Sequence, residues 1–210
     1  MRYPALPGGV GLSSAGRGLF WRLCGRIQEL HARSPIDVIH AHGALPCGHA
    51  AASLSRRLKI PFVVTVHGLD AYSVMQVSGR PGAACRKVSK EVYAAARRVI
   101  GVSRHVCDEV EQGMPGLSST SVVYNGVDPV MFAPGEDPLE PVLLSVGNLI
   151  PIKGHEFVVH ALKALLPKFP ALTWEVIGDG PERDRIRAVA EELGVAKSIR
   201  FRGRQNRSEV

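Results

Sequence analysis

Residues 146–155 read VGNLIPIKGH and form the kind of strand-to-helix connection that α/β proteins use at their ligand sites. The preceding apolar run, Pro141–Val146, is typical of a buried strand, and Gly147 and Gly154 allow the backbone to come close to a ligand. Lys153 stands where the next helix is predicted to begin, and helix N-termini attract phosphate. Taken alone, the segment also fits an ordinary turn with a solvated lysine.

A second turn of this type reads Gly178-Asp179-Gly180-Pro181 and follows the apolar run Leu172–Ile177. Its glycines allow a tight turn, and proline suits the first turn of a helix. A plain strand-to-helix turn without a ligand explains the same residues equally well. The second half of the chain therefore predicts strands at 142–146, 172–177 and 199–201, alternating with helices at 155–166 and 182–193.

The first half shows the same alternation after a Gly-, Pro- and Ser-rich stretch, residues 1–18, that predicts a loop. Strands are predicted at 38–42, 62–66, 99–102 and 121–124, with helices from Leu19 onward and at 44–58, 87–98 and 104–112. Strand–helix–strand units imply parallel sheets covered by helices. We therefore predict two Rossmann-like α/β domains, at 1–127 and 142–210, joined by a Pro-rich linker at 128–141.

Composition is that of a globular protein, with 45% hydrophobic and 21% charged residues in 210. No apolar run approaches the roughly 18 residues that span a bilayer. The cysteines are scattered without a CxxC pair, which favours reduced thiols in the cytoplasm over disulfides or a zinc site. They are Cys24, Cys47, Cys85 and Cys107.

The net charge is +7, and part of the excess is local. One basic cluster near the C-terminus contains Arg200, Arg202, Arg204 and Arg207. Another accompanies Phe20 and Trp21 on the first predicted helix, with Arg17, Arg22, Arg26 and Arg33. Nucleic acid is the weaker partner, since aromatic residues make up only 6% and no nucleic-acid motif is present. An anionic membrane surface or an anionic substrate fits better, although a helix packed on its own domain explains the pattern on the first helix equally well.

Six short motifs occur in a specific order. They are DVIHAH at 37–42, VTVHGLD at 64–70, IGVS at 100–103, NGVD at 125–128, the segment 147–154, and GDGP at 178–181. Each is weak alone, but their order and spacing are specific. With them the chain resembles a family 4 glycosyltransferase of the GT-B fold, which has two Rossmann-like domains.

The resemblance implies a fragment truncated at both ends, since two complete domains of this kind need roughly 300 residues. The first domain is then the acceptor side and the second the donor side. The implied reaction is retaining transfer of a sugar from a nucleoside-diphosphate sugar to a glycan, a polysaccharide precursor or a lipid-linked acceptor. It is expected in the cytoplasm or at the inner membrane face, without a cofactor. A nucleotide-sugar epimerase or phosphorylase and a non-catalytic fragment are the alternatives.

The resemblance places the donor-binding residues in the second domain. Lys153 would lie near the β-phosphate, where a cation offsets the charge of the leaving nucleoside diphosphate. The family usually has an arginine directly after the first strand's glycine, but this chain has Asn148, which donates hydrogen bonds without neutralising charge. The other donor-side candidates are Gly147, Gly178, Asp179 and Gly180.

His67 follows the strand 62–66 at the edge where parallel sheets bind ligands. The resemblance makes it the catalytic candidate, facing the donor sugar, where it would hydrogen-bond a hydroxyl or stabilise charge at the anomeric carbon. A structural hydrogen bond at the strand end is the simpler interpretation. The other candidates for the cleft are His42, Ser103 and Asn125. For Ser103 and Asn125 a structural cap is the alternative.

His40 and His42 alternate along one strand, so their side chains are predicted to share a face. Such a pair can form half of a metal site. Because the sequence shows no cluster of further ligands, we predict no metal.

Overall fold

The computed structural model describes residues 11–68, 79–117, 120–135 and 139–206. The chain divides into two compact units, Met1–Gly126 and Val127–Val210. Each unit has its own sheet, and the strand pairs described in both sheets are parallel. The prediction of an α/β fold with two parallel sheets is confirmed. The predicted loop over residues 1–10, residues 136–138 of the linker, and Arg207 lie outside the described residues.

The first unit has a four-stranded sheet whose strands follow chain order, β1-β2-β3-β4. Helices connect successive strands, as parallel neighbours require. The elements are α1 (Leu12–Arg33), β1 (Ile39–His42), a π-helical turn (Ala44–Gly48), α2 (His49–Leu58), β2 (Phe62–Val66), α3 (Gly79–Ala95), β3 (Arg98–Gly101), α4 (Arg104–Gly113) and β4 (Thr120–Val122).

The core of the first unit lies on one face of its sheet. Alternate side chains of β2 are buried there against apolar side chains of α2, α3 and α4. These β2 residues are Phe62, Val64 and Val66. The neighbouring positions point the other way, and on β1 they are His40 and His42, which are exposed. The sheet therefore has a helix-covered face and a face that carries histidines.

The first helix begins at Leu12 rather than Leu19, so the predicted loop is wrong for residues 12–18. Gly16 supplies the physical reason. A Cβ atom at this position would lie 2.5 Å from the Cβ of His49 at the start of α2, so glycine lets the two helices approach closely. The small residues of this stretch serve helix packing instead of a turn.

Other predicted boundaries in this unit are also wrong, among them the end of α3 at Ala95, three residues before the predicted end at Arg98. Helix α3 begins at Gly79, eight residues before the predicted start, because Pro81 is compatible with a first helical turn. Residues 44–48 form a π-helical turn in which Leu45 is extended, with φ −126° and ψ 133°, so α2 starts at His49. Strand β4 ends at Val122, two residues earlier than predicted.

The second unit has a three-stranded sheet in the order β5-β6-β7. Its elements are β5 (Val142–Val146), a 3-10 turn (Pro151–Lys153), α5 (His155–Leu165), β6 (Thr173–Ile177), α6 (Arg183–Glu192), a 3-10 turn (Ala196–Ser198) and β7 (Ile199–Gly203). All the strands and helices predicted for this half lie within two residues of these bounds.

Trp174 is the centre of the second core. It is fully buried on β6, and its indole N–H donates to the Ser145 hydroxyl over 3.0 Å. Leu162 of α5 and Ile186 of α6 pack in the same cluster. The apolar side chains that β5 presents on the opposite face are exposed, and they are Val142, Leu144 and Val146.

Candidate functional site

The strands of the second sheet end side by side. Strand β5 ends before Gly147, β6 before Gly178 and β7 before Arg204. The Gly147 amide donates to the Ile177 carbonyl over 2.9 Å, and the Gly178 amide donates to the Gly203 carbonyl over 2.7 Å. These bonds hold the residues that follow the strands at the carboxyl edge, where parallel sheets bind ligands.

Two positions at this edge require glycine. Gly178 has φ +135°, and a Cβ atom there would lie 1.9 Å from the Gly147 carbonyl oxygen. A Cβ atom on Gly180 would lie 2.3 Å from the Leu149 carbonyl oxygen. The Leu149 amide in turn donates to the Asp179 carbonyl over 3.0 Å. The loops after β5 and β6 are therefore joined backbone to backbone.

The joined loops border a cavity of about 480 Å³, a size typical of small-ligand sites. The residues that line it are Val146, Gly147, Asn148, Ile177, Gly178, Arg204 and Gln205. Three of the predicted donor-binding residues thus meet at one cavity, namely Gly147, Asn148 and Gly178.

The other predicted donor-binding residues do not line this cavity. The Asp179 carboxylate accepts from the Gly180 amide over 2.9 Å and lies 3.6 Å from the Arg183 guanidinium, so its charge is used within its own turn. Lys153 is exposed at the end of the 3-10 turn and is followed by Gly154 with φ +64°. Lys153 therefore belongs to the adjoining loop.

His155 lies directly under that loop, at the first position of α5. Its ring is buried and stacks on Trp174 with 6.3 Å between ring centroids. Burial lowers the pKa of His155, and the positive charge of Lys153 lowers it further. The interior beneath the loop therefore favours a neutral imidazole.

Arg204 is a residue of this edge that the sequence analysis missed, because it was assigned to a general basic cluster. A signal was available, since Arg204 follows a strand as Gly147 and Gly178 do, and parallel strands end at one edge. The predicted strand stopped at Phe201, two residues before the observed end at Gly203, which hid this position.

The first sheet presents histidines at its carboxyl edge. His67 follows β2 and is exposed, and its Nε2 atom lies 2.8 Å from the Nδ1 atom of His42, at the end of β1. The two rings stack with 5.1 Å between centroids. His40 and His42 are also in ring contact, at 4.5 Å, which confirms that they share a face. His40 Nε2 lies 2.7 Å from the Thr65 hydroxyl oxygen.

The electrostatics of this cluster disfavour positive charge. Partial burial lowers the pKa of His40, and the neighbouring His42 and His67 lower it further. The bond between His42 and His67 needs one nitrogen as donor and the other as acceptor, so it is lost if both rings are protonated. Among the described residues, no group of three or more histidine, cysteine or acidic side chains could hold a metal ion.

The remaining candidates follow β3 and β4 at the same edge of the first sheet. The Ser103 hydroxyl oxygen accepts from the Val106 amide over 3.2 Å and caps α4. Asn125 is exposed, three residues beyond the end of β4. The structure thus joins His42 to His67, uses Ser103 as a cap, and leaves Asn125 on the surface.

The chain has two α/β units with parallel sheets, and polar groups and glycine turns lie at the carboxyl edges of both. This arrangement is typical of proteins that bind ligands at strand ends. The chain belongs to Glycosyltransferase Family 4, whose sequence model matches residues 2–130. The model of Glycosyl transferases group 1 matches residues 128–210. The family resemblance inferred from the motifs is confirmed.

Relatives with assigned names are also glycosyltransferases. The chain is 30% identical over 204 residues to D-inositol 3-phosphate glycosyltransferase of Frankia alni, and the aligned region covers 84% of this chain and 49% of that protein. It is 29% identical over 181 residues to glycogen synthase of Mycobacterium tuberculosis, covering 83% of this chain and 43% of that protein. The chain thus spans about half the length of the curated relatives it matches.

Solved structures share the fold. The crystal structure of Anabaena HepE in complex with UDP and glucose matches with a TM-score of 0.67 and 22% identity, over 89% of this chain and 52% of that one. Sucrose-phosphate synthase from Thermosynechococcus elongatus matches with a TM-score of 0.67 and 20% identity, over 92% of this chain and 52% of that one.

Proposed function

We propose that this protein transfers a sugar from a nucleoside-diphosphate sugar to a glycan, a polysaccharide precursor or a lipid-linked acceptor, with retention of configuration. The observation that carries the proposal is the cavity at the carboxyl edge of the second sheet, bordered by Gly147 and Gly178. Membership of Glycosyltransferase Family 4 supports the reaction class. The fold is shared with a protein whose crystal structure contains UDP and glucose.

In this proposal the second unit binds the nucleoside diphosphate. Asn148 lines the cavity and donates hydrogen bonds from its side-chain amide. Lys153, exposed on the adjoining loop, meets the charge that develops on the leaving diphosphate. These side chains do the electrostatic work, so the proposal needs no cofactor or metal.

The first unit contributes His67 as the catalytic group that contacts the sugar. Its Nε2 atom is 2.8 Å from His42 Nδ1, so the bond to His42 orients the ring. A neutral imidazole can hydrogen-bond a sugar hydroxyl and stabilise charge near the anomeric carbon. The leaving phosphate would then take the proton of the acceptor hydroxyl.

The test is hydrolysis or transfer by the 210-residue chain, supplied with UDP-, GDP- and ADP-sugars. Lys153→Ala is compared with Lys168→Ala, which removes another exposed lysine in the turn after α5. We expect Lys153→Ala to lower turnover and Lys168→Ala to leave it unchanged. Turnover and donor affinity unchanged in Lys153→Ala would refute the role of Lys153. Binding and turnover absent for every donor would overturn the transferase proposal for this chain and favour a non-catalytic fragment.

A second proposal is that α1 holds the protein on an anionic membrane from the cytoplasmic side. The observation that favours it is Trp21, which is 79% exposed on a helix that also carries the exposed Arg22 and Arg26. Each basic residue near an anionic surface contributes about 1 kcal/mol. None of the helices in the described ranges has the length and hydropathy needed to span a bilayer. The four cysteines are thiols, in keeping with the cytoplasm.

Vesicle sedimentation tests this second proposal. The chain should sediment with anionic vesicles at low salt and be released at 1 M salt, where the Debye length is ~3 Å. Trp21→Ser should weaken the association, because an interfacial aromatic side chain is removed. Equal sedimentation with neutral and anionic vesicles at low salt would show that the basic face serves another purpose.

A further inference from the structure

We propose that Arg204 binds the diphosphate of the nucleotide sugar at the carboxyl edge of the second sheet, an inference that rests on the proposed function. Of the seven residues that line the cavity, Arg204 is the charged one. Asn148 lines the same cavity but carries no charge. A diphosphate is strongly anionic, and its binding requires cations or N–H groups directed at it.

Three main-chain amides of the loops at this edge are already engaged within the fold. Those of Gly147, Gly178 and Leu149 donate to the carbonyls of Ile177, Gly203 and Asp179, over 2.9, 2.7 and 3.0 Å. Each of these N–H groups therefore has its partner within the fold. These three N–H groups are not available to a phosphate, in contrast to glycine loops whose amides point at the ligand, so side chains have to contribute to its recognition.

The two arginines of β7 are engaged as well, but Arg204 is not part of their network. Arg202 donates to the Glu175 carboxylate over 2.8 and 3.1 Å, and Arg200 donates to it over 3.5 Å. Glu175 lies on β6, so this cluster lies over the sheet face. Among the described residues, Arg204 belongs to none of the ion pairs. Within the described ranges its guanidinium is therefore not paired with an acidic group and can bind an anion.

The end of β7 explains why Arg204 differs from Arg200 and Arg202. In a continued strand, residue 204 would alternate onto the same face as those two arginines. Gly203 instead has φ +69°, a conformation that ends the strand. The Gln205 side-chain amide donates to the Arg202 carbonyl over 3.1 Å and closes the turn. The chain therefore turns at Gly203, and Arg204 lines the cavity.

The chemistry favours arginine at this place. A guanidinium presents a planar set of N–H donors that binds two phosphate oxygens at once, whereas lysine offers a point charge. We therefore expect Arg204→Lys to retain part of the affinity and Arg204→Gln to lose most of it. A fivefold to tenfold weakening by Arg204→Gln corresponds to the loss of about one ordinary hydrogen bond.

The experiment is an NMR titration of the ¹⁵N-labelled 210-residue chain, which measures even millimolar dissociation constants. The probes are UDP, GDP, ADP, uridine and inorganic phosphate. The variants are Arg204→Gln, Arg204→Lys and the control Arg200→Gln, which removes a β7 arginine bound to Glu175. Arg204 is exposed, so the dispersion of the spectrum should be the same in all variants.

We expect at least one nucleoside diphosphate to shift the amide signals of Gly147 and Gly178. Arg204→Gln should weaken that binding at least about fivefold, while Arg200→Gln should bind like the wild type. Equal affinity of wild type and Arg204→Gln would overturn the inference and leave the proposed function standing. Equal affinity for UDP and inorganic phosphate would show a general anion site and would also overturn it. No shift with any nucleoside diphosphate would overturn the proposed function itself, and the inference with it.

Discussion

Replacing Gly178 with alanine should destabilise the second unit strongly. The new Cβ atom would be placed 1.9 Å from the Gly147 carbonyl oxygen, at a residue with φ +135°. Strain at such a backbone position costs about 1–3 kcal/mol. Relief requires the loops to separate, which breaks the bonds from Gly147 to Ile177 and from Gly178 to Gly203, about 1 kcal/mol each. We therefore expect a loss of about 3–5 kcal/mol, a large share of the stability of a small domain.

Urea unfolding followed by tryptophan fluorescence measures this loss. Trp174 is fully buried in the second unit, whereas Trp21 in the first is 79% exposed and changes little on unfolding. Gly194→Ala is the matched control, because Gly194 also has a positive φ, +72°, but a Cβ there would have no atom within 4 Å. The control should lose only about 1–2 kcal/mol. Equal losses in the two variants would refute the claim that the close contact of the two loops stabilises this edge.

Three further predictions concern helix packing and the histidines. Gly16→Ala should lower the free energy of unfolding of the first unit by about 1–3 kcal/mol, because the new Cβ atom meets His49. Gly25→Ala on the same helix is the control; its Cβ atom has nothing within 4 Å, so it should raise the free energy of unfolding by up to about 1 kcal/mol. Chemical denaturation followed by circular dichroism measures both changes. The second unit should lose stability as the pH falls below about 6.5, since the pKa of His155 is lowered in the folded state and the unfolded state then binds more protons. Urea unfolding of wild type and His155→Phe, compared at pH 7 and pH 5.5, tests this, and an equal pH dependence in both would contradict it. His42→Phe should raise the pKa of His40 only part of the way to its ordinary value, because burial is the larger cause of the shift; NMR titration of the His40 ring protons measures it, and an unchanged pKa would exclude a contribution from His42.

Much of the fold follows from the sequence because strand periodicity and turn residues are local signals. The apolar run at Val142–Val146 gives β5 with the predicted bounds. The predictions fail where a glycine serves close helix packing instead of a turn. Gly16 reads as a loop residue, but it allows α1 to pack closely on His49 of α2. Local composition cannot separate a loop glycine from a packing glycine, since the deciding contact comes from a residue distant in sequence.

The candidate site was predictable in part for the same reason. Positions after strands could be named, and Gly147, Asn148 and Gly178 do meet at one cavity. The pairing of His42 with His67 depends on the register of β1 against β2, which the sequence does not specify. Separating Arg204 from Arg202 required the partner of each guanidinium to be known. Ion pairs across strands are tertiary contacts, and they decide which charge remains available to a ligand.

The engaged amides at the carboxyl edge of the second sheet have a consequence for how this protein can change over evolution. The backbone of Gly147 and Gly178 holds the edge together, while Asn148 and Arg204 are attached to it as side chains. Under the proposed function, the hydrogen bonds of the fold and the contacts to the ligand therefore belong to different atoms. Substitutions at residues 148 and 204 would then alter which anion is accepted without disturbing the hydrogen bonds that keep the three strand ends together. Ligand preference at this edge can therefore change with little loss of stability, whereas loss of either glycine disrupts the backbone on which any preference depends.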